Sequence, residues 1–124
     1  MPVSIHTDHA PKAIGPYAQA IRSGSLVFTS GQLGIDPATG KLADGVENQA
    51  HAAMRNLGAI LAAAGSDYAR ILKTTIFLAD LQDFAAVNGV YASYFGDSFP
   101  ARSCFQVAAL PMGGLVEIEC VAEV

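Results

Sequence analysis

The 124-residue chain has no tryptophan, two cysteines, and seven lysines and arginines against eleven acidic residues. Each shortage excludes something. A net charge of −4, with the cations scattered, leaves no basic stripe for DNA or RNA, so nucleic acid is not an expected partner. Cys104 and Cys120 make neither a disulfide framework nor a CxxC pair, and they read as reduced, buried thiols of a cytoplasmic protein. No apolar run approaches the ~18 residues of a membrane span. Met1-Pro2-Val3-Ser4-Ile5-His6 has neither a basic segment nor a long apolar one, so it is not read as a secretory signal. GxGxxG, P-loop and GxSxG motifs are missing. His6, His9 and His51 have no Asp, Glu or Cys cluster beside them, so neither a metal nor a cofactor is expected.

What is present is apolar: 52% of the residues are hydrophobic and 15% charged. The length suits one domain, residues 1–124, without repeats or linkers. Such a chain buries roughly two-thirds of its unfolded surface and needs no metal or disulfide staple. Its surplus apolar surface predicts a homo-oligomer.

The patterning predicts an α+β fold in the order ββαβαββ. Leu26-Val27-Phe28-Thr29-Ser30 is rich in strand formers, Gly31 interrupts it, and Gln32 to Ile35 continues extended. Asp36-Pro37-Ala38-Thr39-Gly40 is a turn. Asp44-Gly45-Val46-Glu47 reads as a capping box for a helix with Val46, Ala50, Ala53, Leu57, Ile60, Leu61 and Ala64 on one stripe, ended by Gly65. Ile71 to Leu78 is a strand. Asp80 opens a second helix, with Phe84, Val87, Tyr91, Tyr94 and Phe95 inward and Gly96 at its end. Ser103 to Leu110 and Leu115 to Val124 are the last strands, joined through Pro111-Met112-Gly113-Gly114 as a hairpin. Two amphipathic helices cover one face of such a sheet, leaving the other for a second subunit.

The candidate chemistry centres on Arg102, one of four arginines, in Pro100-Ala101-Arg102-Ser103-Cys104 at the mouth of an apolar strand. A guanidinium there needs an anion. Small neighbours leave room for a carboxylate held by the planar fork of donors. Glu117 shares a strand face with Glu119 and Glu123 by period-2 alternation, which is also the pattern of a solvated face. The expected hairpin would carry Glu117 near Ser103-Cys104-Phe105, where a carboxylate could activate water. Cys104 has no histidine near it in sequence to make a thiolate pair, so its backbone matters more than its sulfur. Ser30-Gly31 is either a bulge or a place where ligand approaches backbone, and Tyr17 is a loop phenol with an ordinary packing alternative.

Ala13-Ile14-Gly15-Pro16-Tyr17, Thr29-Ser30-Gly31-Gln32, Asn56-Leu57-Gly58-Ala59-Ile60-Leu61, Lys73 to Leu78, Phe84-Ala85-Ala86-Val87-Asn88, Phe99 to Cys104 and Val116-Glu117-Ile118-Glu119 run in order along nearly the whole chain. Together they closely resemble the reactive intermediate deaminase (RidA, YjgF-type) family. The resemblance implies a chorismate-mutase-like α+β fold, with two helices on one face of a mixed sheet. It also implies a homotrimer with clefts between subunits, and cofactor-free hydrolysis of 2-imino acids such as 2-iminopropanoate and 2-iminobutanoate to 2-oxo acids and ammonia. In that frame Arg102 clamps the substrate carboxylate, and Glu117 positions the attacking water with the Cys104 carbonyl. Backbone N–H groups of Gly31 and Cys104 hold the reacting end. Tyr17, Ser30 and Asn88 line the cleft. Phe105 and Gln106 stand where many members carry smaller or acidic residues, which bears on side-chain preference. Two alternatives accompany this reading. One is an endoribonuclease or translation inhibitor, which the charge and the missing His pair oppose. The other is a non-catalytic trimer acting as ligand sensor or chaperone.

Overall fold

The structure is a computed structural model and describes residues 2–124. Its strands are β1 (Val3–Ile5), β2 (Ala20–Ser23), β3 (Leu26–Thr29), β4 (Gln32–Leu33), β5 (Ile71–Leu78), β6 (Ala101–Gln106) and β7 (Val116–Glu123). Its helices are α1 (Val46–Ala64) and α2 (Phe84–Ala92). The fold is α+β with a mixed sheet, as expected, but two strands precede the expected first one, giving ββββαβαββ. β1 and β2 lie at one edge of the sheet, whose order is β1-β2-β3-β7-β5-β6, with β4 also pairing β7.

The expected hairpin between the last two strands does not exist. β5 lies between β6 and β7, pairing parallel with β6 and antiparallel with β7. A parallel pair needs a crossover, and α2 supplies it. The Pro111–Gly113 segment is instead a 3-10 turn with Met112 in the left-handed region (φ 61).

Helix α1 lays Ala53, Met54, Leu57, Ile60 and Leu61, all fully buried, in the core beneath the sheet. Each large side chain among them contributes roughly 1.5–3 kcal/mol of burial. Gly65 caps the helix in the left-handed conformation (φ 84), as its sequence predicts. The expected capping box is not used: Gly45 is the N-cap and no side chain caps it. Gly45 at φ 82 turns the chain where an aspartate would be strained, so Asp44 falls one residue short. Asp80 does accept from the Gln82 N–H at 2.9 Å, but it caps the 3-10 turn Leu81–Asp83 that precedes α2. α2 ends at Ala92, before Gly96.

Buried polar groups fix α1 to the sheet. Asn56 Nδ2 donates to the carbonyls of Leu33 (3.1 Å) and Ile35 (2.9 Å). Gln49 accepts from the Leu115 N–H at 2.9 Å and donates to the Ala43 carbonyl at 3.0 Å. The helix-covered face carries Thr74, Ile76, Leu78, Val116, Ile118 and Cys120, all buried. The opposite face has no helix over it and presents exposed Phe28 and Phe105 and half-buried Phe77, Glu117, Glu119 and Val121. No helix is long and apolar enough to cross a membrane among the described residues.

Candidate functional site

Strand register decides which site residues can meet. Ile76 pairs with Cys104 on one side and Ile118 on the other, while Phe77 pairs with Phe105 and Glu117. Residues opposite one another in a ladder share a face, and successive residues alternate. Arg102 and Cys104 therefore stand on the helix-covered face, and Glu117 stands on the uncovered one. The strands that carry them are two spacings apart, roughly 10 Å. The expectation that a hairpin brings Glu117 beside Arg102 within one chain is overturned.

The Arg102 group is built by α2. Arg102 Nη1 donates to Asn88 Oδ1 at 2.7 Å. Its Cζ lies 5.4 Å from the Phe84 ring centroid and 5.1 Å from that of Tyr91. Contacts of this kind are worth roughly 0.5–2 kcal/mol each. Among the described residues no carboxylate is within ion-pair distance of Arg102. The guanidinium has five donors and spends one on a neutral amide, which leaves the others open to an anion. Cys104, two residues on, is half-buried and packs against the core. Burial raises its thiol above the ordinary cysteine value, and nearby Arg102 offsets this only in part. A thiol so placed is a poor nucleophile. Gln106 continues the same face, but its side chain accepts from the Leu81 N–H at 2.8 Å. Phe105 points to the opposite face and is 54% exposed, so it does not border Arg102.

The Glu117 group lies where β4 meets β7. Gly31 sits against the glutamate: a Cβ there would stand 2.7 Å from the carboxyl carbon. Only glycine admits that approach. Burial, and then the Glu119 carboxylate, raise the Glu117 carboxyl above the usual glutamate range. Beside it opens a cavity of about 570 Å³ whose walls include Tyr17, Gly31, Leu33, Pro111, Met112 and Glu117. Tyr17 is half exposed, and its hydroxyl accepts from the Ile14 N–H at 3.4 Å. Ser30 is committed to structure: its hydroxyl donates to the Ala18 carbonyl at 2.6 Å, and its N–H donates to the Gln19 carbonyl at 2.9 Å.

The expected site residues thus fall into two sets, Arg102–Asn88–Cys104 and Tyr17–Gly31–Glu117, with Ser30 bonded into the loop beside the second. Sequence reading missed the ring contacts of Phe84 and Tyr91, although residues 84, 88 and 91 have the i, i+4, i+7 spacing of one helix face. It also missed Gln19, which is buried and holds the N-terminal loop by accepting from Thr7 N–H and donating to the Thr7 and Pro11 carbonyls. A lone glutamine gives no sequence signal.

The family model described as Endoribonuclease L-PSP matches residues 7–124. The chain belongs to this family. Among L-PSP relatives, it is 55% identical over 119 residues to the 2-iminobutanoate/2-iminopropanoate deaminase of Capra hircus, covering 95% of this chain and 87% of that one. It is 53% identical to the chloroplastic Reactive Intermediate Deaminase A of Arabidopsis thaliana, covering 95% of this chain but only 64% of the longer plant protein. E. coli TdcF, solved with bound serine, superposes with a TM-score of 0.95 at 45% identity, covering 98% of each chain. The resemblance to the reactive intermediate deaminases drawn from the sequence motifs is borne out, as is the α+β fold.

Proposed function

We propose that this protein hydrolyses 2-imino acids, such as 2-iminobutanoate and 2-iminopropanoate and their enamine tautomers, to 2-oxo acids and ammonia. The observation that carries the reading is the pair of half-sites: an unneutralised Arg102 on one face, and a carboxyl with raised pKa against Gly31 beside a cavity on the other. Relatives at 50–55% identity bear that activity in their names.

The two half-sites complete one another when a second copy of the chain brings its Glu117 face to the first copy's Arg102 edge. A homotrimer provides three such clefts, and the uncovered sheet face supplies the apolar surface for it. Arg102 takes the substrate carboxylate in a two-pronged bond. Glu117, ionised, accepts a proton from water as the water oxygen adds to the imine carbon. The C=N double bond becomes a single bond, and the nitrogen keeps the electron pair. Glu117 then returns its proton to that nitrogen, giving the neutral carbinolamine. In the second half Glu117 takes the carbinolamine hydroxyl proton and passes it to the amine nitrogen; the oxygen's electron pair forms the C=O bond, the C–N bond breaks, and ammonia leaves with Glu117 ionised again. Backbone N–H groups at Gly31 and Cys104 hold the reacting end, and Tyr17 and Ser30 shape the cleft. A base whose pKa is raised toward the working pH suits both halves of this proton relay. Imines hydrolyse readily, so positioning and charge complementarity supply most of the effect. A cytosolic setting accords with the two free thiols.

The test couples a threonine dehydratase to this protein and follows 2-oxobutanoate release with semicarbazide competing for the imine. Wild type speeds release, and Arg102→Ala and Glu117→Gln do not. Full activity in Arg102→Ala would sink the reading. RNA cleavage that survived Arg102→Ala and repeated purification would favour a nuclease instead.

A further inference from the structure

We infer that α2 is a purpose-built cradle for the Arg102 guanidinium, in which Phe84 and Tyr91 are positioning residues and Thr74 sets the angle of Tyr91. The inference rests on the reading of Arg102 as the carboxylate clamp and adds what aims it. Three residues on one face of α2, at positions 84, 88 and 91, meet a single side chain from β6. Phe84 and Tyr91 offer ring surfaces 5.4 and 5.1 Å from Cζ, and Asn88 Oδ1 takes one Nη1 hydrogen at 2.7 Å. A guanidinium is weakly hydrated on its faces and strongly hydrated at its edge, so aromatic neighbours hold it without competing for its in-plane donors. Asn88 is neutral, so the hydrogen bond that orients the group leaves its charge for the substrate. A carboxylate in that position would have spent it.

The Tyr91 ring is itself fixed at both ends. The residue is 5% exposed, and its ring packs 4.8 Å from that of Phe95. Its hydroxyl is 2.7 Å from the hydroxyl of Thr74, which is fully buried. Thr74 is also the register partner of Arg102 in the β5–β6 ladder, so the residue that holds the ring lies directly across from the arginine whose side chain the ring meets. A buried hydroxyl pair contributes little net stability compared with well-packed apolar groups of the same shape. Its use here is directional: it sets how the ring faces the guanidinium.

The experiment compares wild type with Phe84→Leu, Tyr91→Phe and Thr74→Val, each checked for unchanged melting and trimer mass, with 2-oxobutanoate as a stable carboxylate probe. Phe84 is 39% exposed, so its replacement leaves the core intact and serves as the main arm. The expected result is about tenfold weaker 2-oxobutanoate binding and a raised KM in Phe84→Leu, with kcat changed much less. Tyr91→Phe and Thr74→Val show a smaller loss of the same kind. Arg102→Ala regains activity with millimolar methylguanidinium, and the double variant Phe84→Leu/Arg102→Ala does not, because the slot that receives the added cation has lost a wall. The Arg102 Nε–H resonance, ring-current shifted in wild type, moves in Phe84→Leu.

Unchanged affinity in Phe84→Leu, or equal methylguanidinium rescue in both Arg102→Ala backgrounds, would overturn the cradle. Failure of the parent reading looks different: 2-oxobutanoate then binds wild type and Arg102→Ala alike, whatever Phe84 does.

Discussion

Cys104 and Glu117 are both one pairing step from β5, yet their side chains leave opposite faces of the sheet, because Cys104 pairs with Ile76 and Glu117 with Phe77. Arg102 shares the Cys104 face. The proposed anion clamp and the proposed carboxylate base of one chain therefore face away from one another across the sheet.

The first prediction follows directly. Arg102→Ala and Glu117→Gln are each inactive alone, but a mixture refolded together recovers activity. If each cleft draws Arg102 from one copy and Glu117 from the next, about a quarter of the clefts in a random equimolar mixture are intact. Recovery near that fraction in the imine-release assay is the expected outcome. No recovery, with mixed assembly verified by mass, would place both residues in a site within one chain.

A second prediction concerns Gly31. Its replacement by alanine drives a methyl into the Glu117 carboxylate while leaving the core untouched. Gly31→Ala should keep its melting temperature within a few degrees and lose activity about tenfold or more, as expected when a reacting group is displaced by about an ångström. Parallel kinetics and thermal melts separate the two effects.

Cys104 supplies a third. With burial raising its thiol and no base beside it, the sulfur has no chemistry to lose. Cys104→Ser should retain kcat within about threefold, because the backbone groups remain. Alkylation by iodoacetamide at neutral pH should be slow. Abolished activity in a folded Cys104→Ser protein would restore the nucleophile reading.

The fourth is a pH dependence. Folding raises the Glu117 carboxyl, through burial first and the Glu119 charge second. Its protonated form is thus favoured in the folded chain. That contribution is complete below the ordinary glutamate range and is lost as pH rises through the raised value. Glu117→Gln, fixed neutral, should melt above wild type at about pH 7.5, with the gap closing by about pH 4. On the acid limb, kcat/KM of wild type should fall at a pH above the ordinary glutamate range, since the base must be ionised.

A fifth tests the scaffold. Gly34 faces the Gln49 backbone so closely that a Cβ would overlap Gln49 Cα and O. Backbone cannot swing aside as a side chain can. Gly34→Ala should cost about 3 kcal/mol in denaturant melts, the upper range for overpacking.

Where local periodicity and punctuation decide structure, the sequence was readable. Gly65 ends α1, the Leu57–Ile60–Leu61 stripe is buried, and Ile71 to Leu78 is a strand. What escaped was non-local. Chain proximity of the last two strands suggested a hairpin, but the crossover through α2 lets β5 claim both as partners. β1 and β2 escaped because Ala20-Ile21-Arg22-Ser23 carries little strand propensity and is held by its pairing with β3. Of the proposed site residues, Arg102 stood out in the sequence by its charge in an apolar strand and Gly31 by interrupting one, whereas Asn88 and Glu117 were drawn from the family resemblance. Their division between two faces was not legible, because a residue's face depends on register, and register is fixed by partners the linear pattern does not name.

Under the proposed shared cleft, the opposite-face placement of Arg102 and Glu117 also makes concentration part of the catalyst. If the cleft exists only where two copies meet, diluting the protein below its assembly constant does not merely slow the reaction in proportion. Specific activity itself should fall, because separated chains hold every catalytic side chain and no complete site.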